Sequence, residues 1–111
     1  MRMWNIPTSK MCTQHLLGEH VEMHMFVGAI NNGNSIKGYL DKGLVEIHNI
    51  RKRHSNLVNE MIKRGFNHKS PLPEFKSKTQ GNINTKKNII ELKKRCKNCR
   101  KKWKTQITAK R

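Results

Sequence analysis

The densest chemistry in this chain lies in one short run, Gln14-His15-Leu16-Leu17-Gly18-Glu19-His20-Val21-Glu22-Met23-His24. If the run is helical, His15, Glu19 and Glu22, spaced by four and then three, share one face. An imidazole and two carboxylates on one face can move protons and stabilise a developing positive charge. His20 and His24 form a second pair four residues apart, a spacing that two ligands of one zinc ion can use. The order does not match the His-Glu-x-x-His pattern of metalloproteases. The bland alternative is a solvated polar face.

Positioning these groups requires a helix, and the flanking sequence supplies one. Thr8 or Ser9 can cap a helix that runs to about Ile30, with Leu16, Met23 and Val27 turned to a core. Asn31-Asn32-Gly33-Asn34 ends it with turn residues. Gly38 and Gly43 predict an irregular connection over 35–43. A second helix is expected from near Leu44. Ile47, Ile50, Leu57, Val58, Met61 and Ile62 recur at helical spacing, and Gly65 is suited to the C′ position. Ser70-Pro71-Leu72-Pro73 breaks the chain, and residues 76–85 read as a linker. Ile89, Leu92, Cys96, Cys99 and Trp103 then form one apolar stripe, predicting a third helix. The fold class expected is all-α: a small single domain of about three helices, with a first unit at 1–75 and a basic extension, linker plus helix, at 76–111 that completes the core.

A chain of 111 residues bounds this to one modest core, and its formal charge of +17 calls for a polyanionic partner. The charge is uneven. Residues 1–75 hold 10 basic and 6 acidic side chains, whereas 76–111 hold 14 basic ones against Glu91 alone. All six histidines lie in the first part. The tail therefore reads as an electrostatic handle for phosphates, with Lys97, Arg100, Lys101, Trp103 and Lys104 as candidate DNA contacts. No apolar run approaches the ~20 residues of a spanning helix, so no membrane partner is expected. An odd count of three cysteines gives no disulfide framework and suits a reducing, intracellular setting, cytoplasmic or nucleoid-associated. Cys96-x-x-Cys99 has ligand spacing, but no second cysteine pair exists and both thiols fall on the apolar stripe. Core packing is the default reading, and no metal or other cofactor is expected.

Gln14, His15, Leu16, Glu19, Glu22 and Gly28-Ala29 resemble, in order and spacing, the active-site helix of the pyrimidine-dimer DNA glycosylase and abasic-site lyase family, that of endonuclease V of T-even phages. Arg51-Lys52-Arg53 and Lys63-Arg64-Gly65-Phe66-Asn67 resemble its second helix and that helix's end. Met1-Arg2-Met3-Trp4 resembles the start of its shorter members. The likeness spans about residues 1–75. Val21 and Met25 stand where phage-type members carry arginine.

The resemblance implies a DNA-repair enzyme that attacks the sugar C1′ with its terminal amine, expels the base and eliminates the 3′ phosphate from the resulting imine. An α-amine titrates near ~7.7–8.0, so part of it is neutral and nucleophilic at physiological pH. Family members expose a small residue followed by arginine. Met1 and Arg2 fill those two places here without a gap before Glu22, and the bulk of Arg2 is expected to prevent Met1 excision. The resemblance thus names Met1 as nucleophile and Glu22 as the catalytic carboxylate. Arg2 is expected on a phosphate and His15 in support, while Glu19 is expected to pair with a base on another element. Arg2, His20, His24, Arg51, Lys52 and Arg53 join the tail residues as expected DNA contacts. The partner is damaged double-stranded DNA, and the protein is expected to act as a monomer without an obligate protein partner. Two alternatives stay open: a non-catalytic nucleic-acid-binding protein that has kept the fold, and a metal-dependent nuclease built on His20, His24 and Glu22.

Overall fold

A buried N-terminal segment organises the molecule. In the computed structural model, whose backbone is described for residues 1–109 and side chains for 1–103, Met3, Trp4 and Ile6 are all buried. The Met3 amide donates to the Leu44 carbonyl at 2.7 Å. Fully burying such a side chain contributes about 1.5–3 kcal/mol, so the terminus is anchored rather than frayed.

The long helix α1 spans Thr13–Asn31 after a 3-10 turn at Thr8–Lys10. Its N-cap is Cys12, not Thr8 or Ser9: the Cys12 sulfur accepts from the His15 amide at 3.4 Å. The face carrying Leu16, Met23, Phe26 and Val27 is completely buried. That face meets α3, Ile50–Lys63, which contributes Ile50, Leu57 and Met61. Between them lies α2, Lys37–Asp41, where an irregular connection was expected. Tyr39 on α2 packs edge-on against Phe26, ring centroids 5.4 Å apart, and that contact outweighs the poor helix propensity of Gly38. The end of α3 is as expected: Gly65 has φ 92°, and the Gly65 and Phe66 amides donate to the Ile62 and Met61 carbonyls.

Residues 66–84 form no regular element but are not a loose linker. Leu72 and Ile83 are buried, the Ile47 amide donates to the Gln80 carbonyl at 2.9 Å, and the Ile83 amide donates to Glu46 at 2.8 Å. Gly81, at φ 100°, passes so close to Val45 that a Cβ would lie 2.1 Å from its carbonyl oxygen.

The expected third helix is two. Helix α4 spans Thr85–Arg95, capped by the Asn84 side chain, and α5 spans Lys97–Ala109. Cys96 between them is extended, with φ −120° and ψ 113°. The break lets both halves of the stripe reach the body of the protein: Leu92 from α4 and Cys99 from α5 are fully buried in the core shared with residues 1–75. The fold is all-α and a single domain, with no strand among the described residues.

Candidate active site

Helix α1 and the terminal segment meet where the chemistry is expected. The Arg2 backbone N–H donates to Glu22 Oε1, so this carboxylate lies one residue from the terminal amine of Met1. Two features of chain geometry produce the contact. Glu22 lies near the middle of α1 on its half-exposed side, and the terminal segment is pinned by its own buried residues, Met3, Trp4 and Ile6.

The Arg2 guanidinium is turned inward, away from the solvent-facing role of a phosphate contact. Its Nη2 donates to Asn88 Oδ1 and to Glu91 Oε2, both at 2.7 Å, and it stacks 3.9 Å from the Trp4 ring centroid. The single carboxylate of the basic extension explains the turn: Glu91 is the nearby countercharge, and the hydrogen bond from Arg2 holds its carboxyl below the usual range. Asn88, 4% exposed, also donates to the Trp4 carbonyl at 2.8 Å. The extension thus forms one wall of this site, a role the sequence signalled only through the isolation of Glu91.

Glu19 and Arg53 are a second finding. Glu19 was expected to pair with a base, and Arg53 is that base, with contacts of 2.6 and 2.9 Å. Arg53 also donates to the Ile6 carbonyl at 2.7 Å. Its reading as a DNA contact is therefore corrected: at 4% exposure it is an internal strut joining α1, α3 and the terminal segment. Burial pushes the Glu19 carboxyl up, against the opposing pull of Arg53. Removing one partner of such a pair costs roughly 3–5 kcal/mol, because a charge is left buried alone.

His20 and His24 also face inward. They meet His54 of α3 and His68 of the following segment, with ring centroids 4.9–5.3 Å apart along the chain of contacts that links all four. His24 Nε2 and His54 Nε2 are 3.1 Å apart. Their reading as phosphate contacts is corrected, since His20 is buried and its neighbours are imidazoles. Burial lowers both His20 and His54 to about 4, and the neighbouring rings add to the effect. The metal set of the nuclease alternative, His20 and His24 with Glu22, is not assembled: the ligand-sized group around those two histidines holds His54 and His68 instead.

A family model described as pyrimidine dimer DNA glycosylase matches residues 1–74. The chain belongs to this family. No curated protein and no solved structure matches it. The family assignment makes DNA repair its setting and DNA its substrate, and among the described residues no helix is long and apolar enough to cross a membrane.

On this glycosylase-family scaffold the remaining cations are dispersed. Lys52 is exposed and lines a polar groove with Asn5, Thr8, Asn56, Asn59 and Lys63. Arg51 donates to the Pro73 carbonyl at 3.0 Å and lies over Phe75, which ties it to the segment after α3. Val21 and Met25, at the positions of the missing arginines, are about half exposed, at 53% and 51%. On α5, Lys97 and Lys101 are exposed, whereas Arg100 donates to the Lys93 carbonyl. Trp103 is not free to stack on a base: Lys10 and Lys93 lie 5.0 and 5.3 Å from its ring centroid. The Lys104 side chain lies outside the described residues.

His15 lies apart from the Glu19–Arg53 pair, at the first turn of α1. Its Nδ1 is 3.2 Å from the Cys12 sulfur and 3.7 Å from that of Cys99. Cys96 completes the group, its sulfur 3.9 Å from that of Cys12. Burial lowers the His15 imidazole, as does the Arg95 guanidinium, against an opposing pull from Glu22. Burial pushes the Cys99 thiol up to about 12. The sequence placed Cys96 and Cys99 on one stripe as packing residues. What it missed was the equal spacing of Cys12-x-x-His15 and Cys96-x-x-Cys99.

Proposed function

We propose that the protein is a bifunctional DNA glycosylase and abasic-site lyase that uses the α-amine of Met1 as nucleophile and Glu22 as its carboxylate partner. The neutral amine attacks C1′ of the damaged nucleotide, the C1′–N bond breaks and the base leaves with the bonding electrons. The attached nitrogen gives up a proton, and its lone pair then forms the C1′=N bond of the iminium as the C1′–O4′ bond breaks and O4′ takes a proton, opening the sugar ring. Loss of a C2′ proton permits β-elimination of the 3′ phosphate. Glu22 stabilises the positive charge that develops at C1′ and on nitrogen, and shuttles protons between steps. The target sugar must leave the stack for the amine to reach it.

The support for this reading is the contact between Glu22 and the Arg2 amide, which sets the carboxylate beside the terminus, in a chain of this family. Arg2 holds the terminal segment through Asn88, Glu91 and Trp4, and acts as a positioning residue. Double-stranded DNA is held by backbone contacts from Lys52 and from the cations of α5, Lys97 and Lys101.

Borohydride trapping with duplex DNA containing an abasic site tests the mechanism. Reduction of the imine is expected to leave the sugar on the Met1 peptide, read by mass spectrometry. A cross-link mapped to a lysine, or no cross-link at saturating DNA, would overturn the assignment.

A further inference from the structure

Three sulfurs and one imidazole nitrogen converge on a single point beside α1. Cys12, His15, Cys96 and Cys99 each present one donor atom, and the four donors lie within 4.8 Å of one another. The separations are 3.9 Å between Cys12 and Cys96 sulfurs, and 3.2 and 3.7 Å from His15 Nδ1 to the sulfurs of Cys12 and Cys99. A tetrahedron with Zn–S bonds of ~2.3 Å and a Zn–N bond of ~2.0–2.1 Å has edges of about 3.5–3.8 Å. Four thiol or imidazole groups that merely filled a core would have no reason to aim their donor atoms together.

The backbone around them is built the same way twice. Cys12 caps α1 and His15 is its third residue; Cys96 precedes α5 and Cys99 is its third residue. In each pair the amide of the second residue donates to the sulfur of the first, at 3.4 Å in both cases. The Cys12 amide donates to the Cys99 sulfur at 3.2 Å. Amide donors and two helix N-termini around the sulfurs favour their thiolate forms, against the burial that raises the Cys99 thiol. Three thiolates with a divalent cation carry one net negative charge, which suits a chain of +17.

We propose that Cys12, His15, Cys96 and Cys99 bind one structural zinc ion, a closed four-ligand site that clasps the basic extension onto the first turn of α1. Two of the ligands lie within the family-matched residues 1–74 and two lie beyond them. The ion would therefore join the glycosylase body to the extension. By doing so it would hold α4 where Asn88 and Glu91 meet Trp4 and Arg2. His15 then serves as a ligand rather than as a member of the catalytic group. Binding releases the thiol protons to solvent, and no oxidant or reductant is needed.

The test uses the full chain purified without chelator in a phosphine-containing buffer. Zinc content is measured by elemental mass spectrometry, and the cobalt(II) form by absorption. Wild type is expected to hold one more equivalent of zinc than the Cys96→Ser/Cys99→Ser double variant. Its cobalt form is expected to show thiolate-to-metal charge transfer in the near ultraviolet and intense tetrahedral ligand-field bands. Cys96→His is expected to keep the metal with weaker charge transfer, which separates loss of a ligand from loss of the fold. Equal zinc in wild type and the folded double variant would overturn the proposal. So would a cobalt spectrum of wild type without thiolate bands.

Discussion

Glu22 and the four clustered histidines show how far one side chain's surroundings decide its role. Glu22 reaches the terminal segment by accepting from a backbone amide, a bond that an amide oxygen can also accept. Glu22→Gln preserves size and removes the negative charge. We expect turnover on damaged DNA to fall by roughly 100-fold or more, the scale of a lost proton-transfer group, with DNA affinity nearly unchanged in a binding titration. Wild-type turnover in that variant would assign Glu22 to structure. The histidines predict a pH dependence of stability. Folded His20 and His54 titrate at about 4, depressed from 6.5, so the unfolded chain binds more protons between those values. Stability contributed by their neutral forms is fully present above pH 6.5 and is lost as pH falls toward 4. The facing groups are His24, His68 and the Ser70 backbone, none of them an acid that could compensate. A thermal midpoint unchanged between pH 7 and pH 4.5, with His20→Gln behaving alike, would contradict this. At this scale Glu22 was singled out by the resemblance, and its half-exposed place on α1 beside the Arg2 amide fits that reading. Asn88 was not legible, since what it does is set by Trp4 and Arg2, more than eighty residues away.

Among elements, α1 and α3 were readable from apolar periodicity, and the end of α3 from Gly65. Those signals are local, and nothing tertiary overrides them. Helix α2 was missed because two glycines argue against a helix that Tyr39 nevertheless packs in place against Phe26. The division between α4 and α5 was missed for a related reason: Ile89 to Trp103 keeps an unbroken helical stripe, and the turn goes with tertiary contacts, Leu92 and Cys99 in the core and Cys96 beside Cys12. The segment joining α3 to α4 reads as polar linker, yet it is threaded tightly along Val45–Ile47. Gly81 is its closest approach, with a positive φ and no room for a Cβ. Gly81→Ala is therefore expected to cost ~1–3 kcal/mol for the backbone conformation alone, with the clash against Val45 added. Urea denaturation would show the loss as a lower midpoint. A midpoint within error of wild type would mean the segment does not hold this path in solution.

Over the whole molecule, charge and chemistry are divided. The expected catalytic positions precede residue 30, and 14 of the 24 basic side chains follow residue 75. Removing residues 104–111 deletes Lys104, Lys110 and Arg111 but spares all four proposed zinc ligands and the contacts of Asn88 and Glu91. DNA binding in that variant is expected to depend less steeply on salt, by ~0.9 in slope for each phosphate it no longer neutralises. Imine trapping on saturating abasic DNA is expected to persist. Loss of trapping with an intact circular-dichroism spectrum would show that the last residues complete the site. The division by charge was visible in composition. The union of the two parts in one core was visible in the apolar stripe, and Leu92 and Cys99 carry it out.

The clamp on the terminal segment has a consequence for the order of biosynthesis. Arg2 and Trp4 leave the ribosome well before the groups that hold them, Asn88 and Glu91, which follow 84 to 89 residues later. The segment that carries the proposed nucleophile thus waits for its last holding contacts until α4 has been made. A ribosome-bound chain that has exposed only the family-matched residues carries its amine and Glu22 but not the wall that fixes Arg2. On the proposed mechanism, the site is complete only once α4 has met Arg2 and Trp4, and not when the family-matched residues alone are exposed.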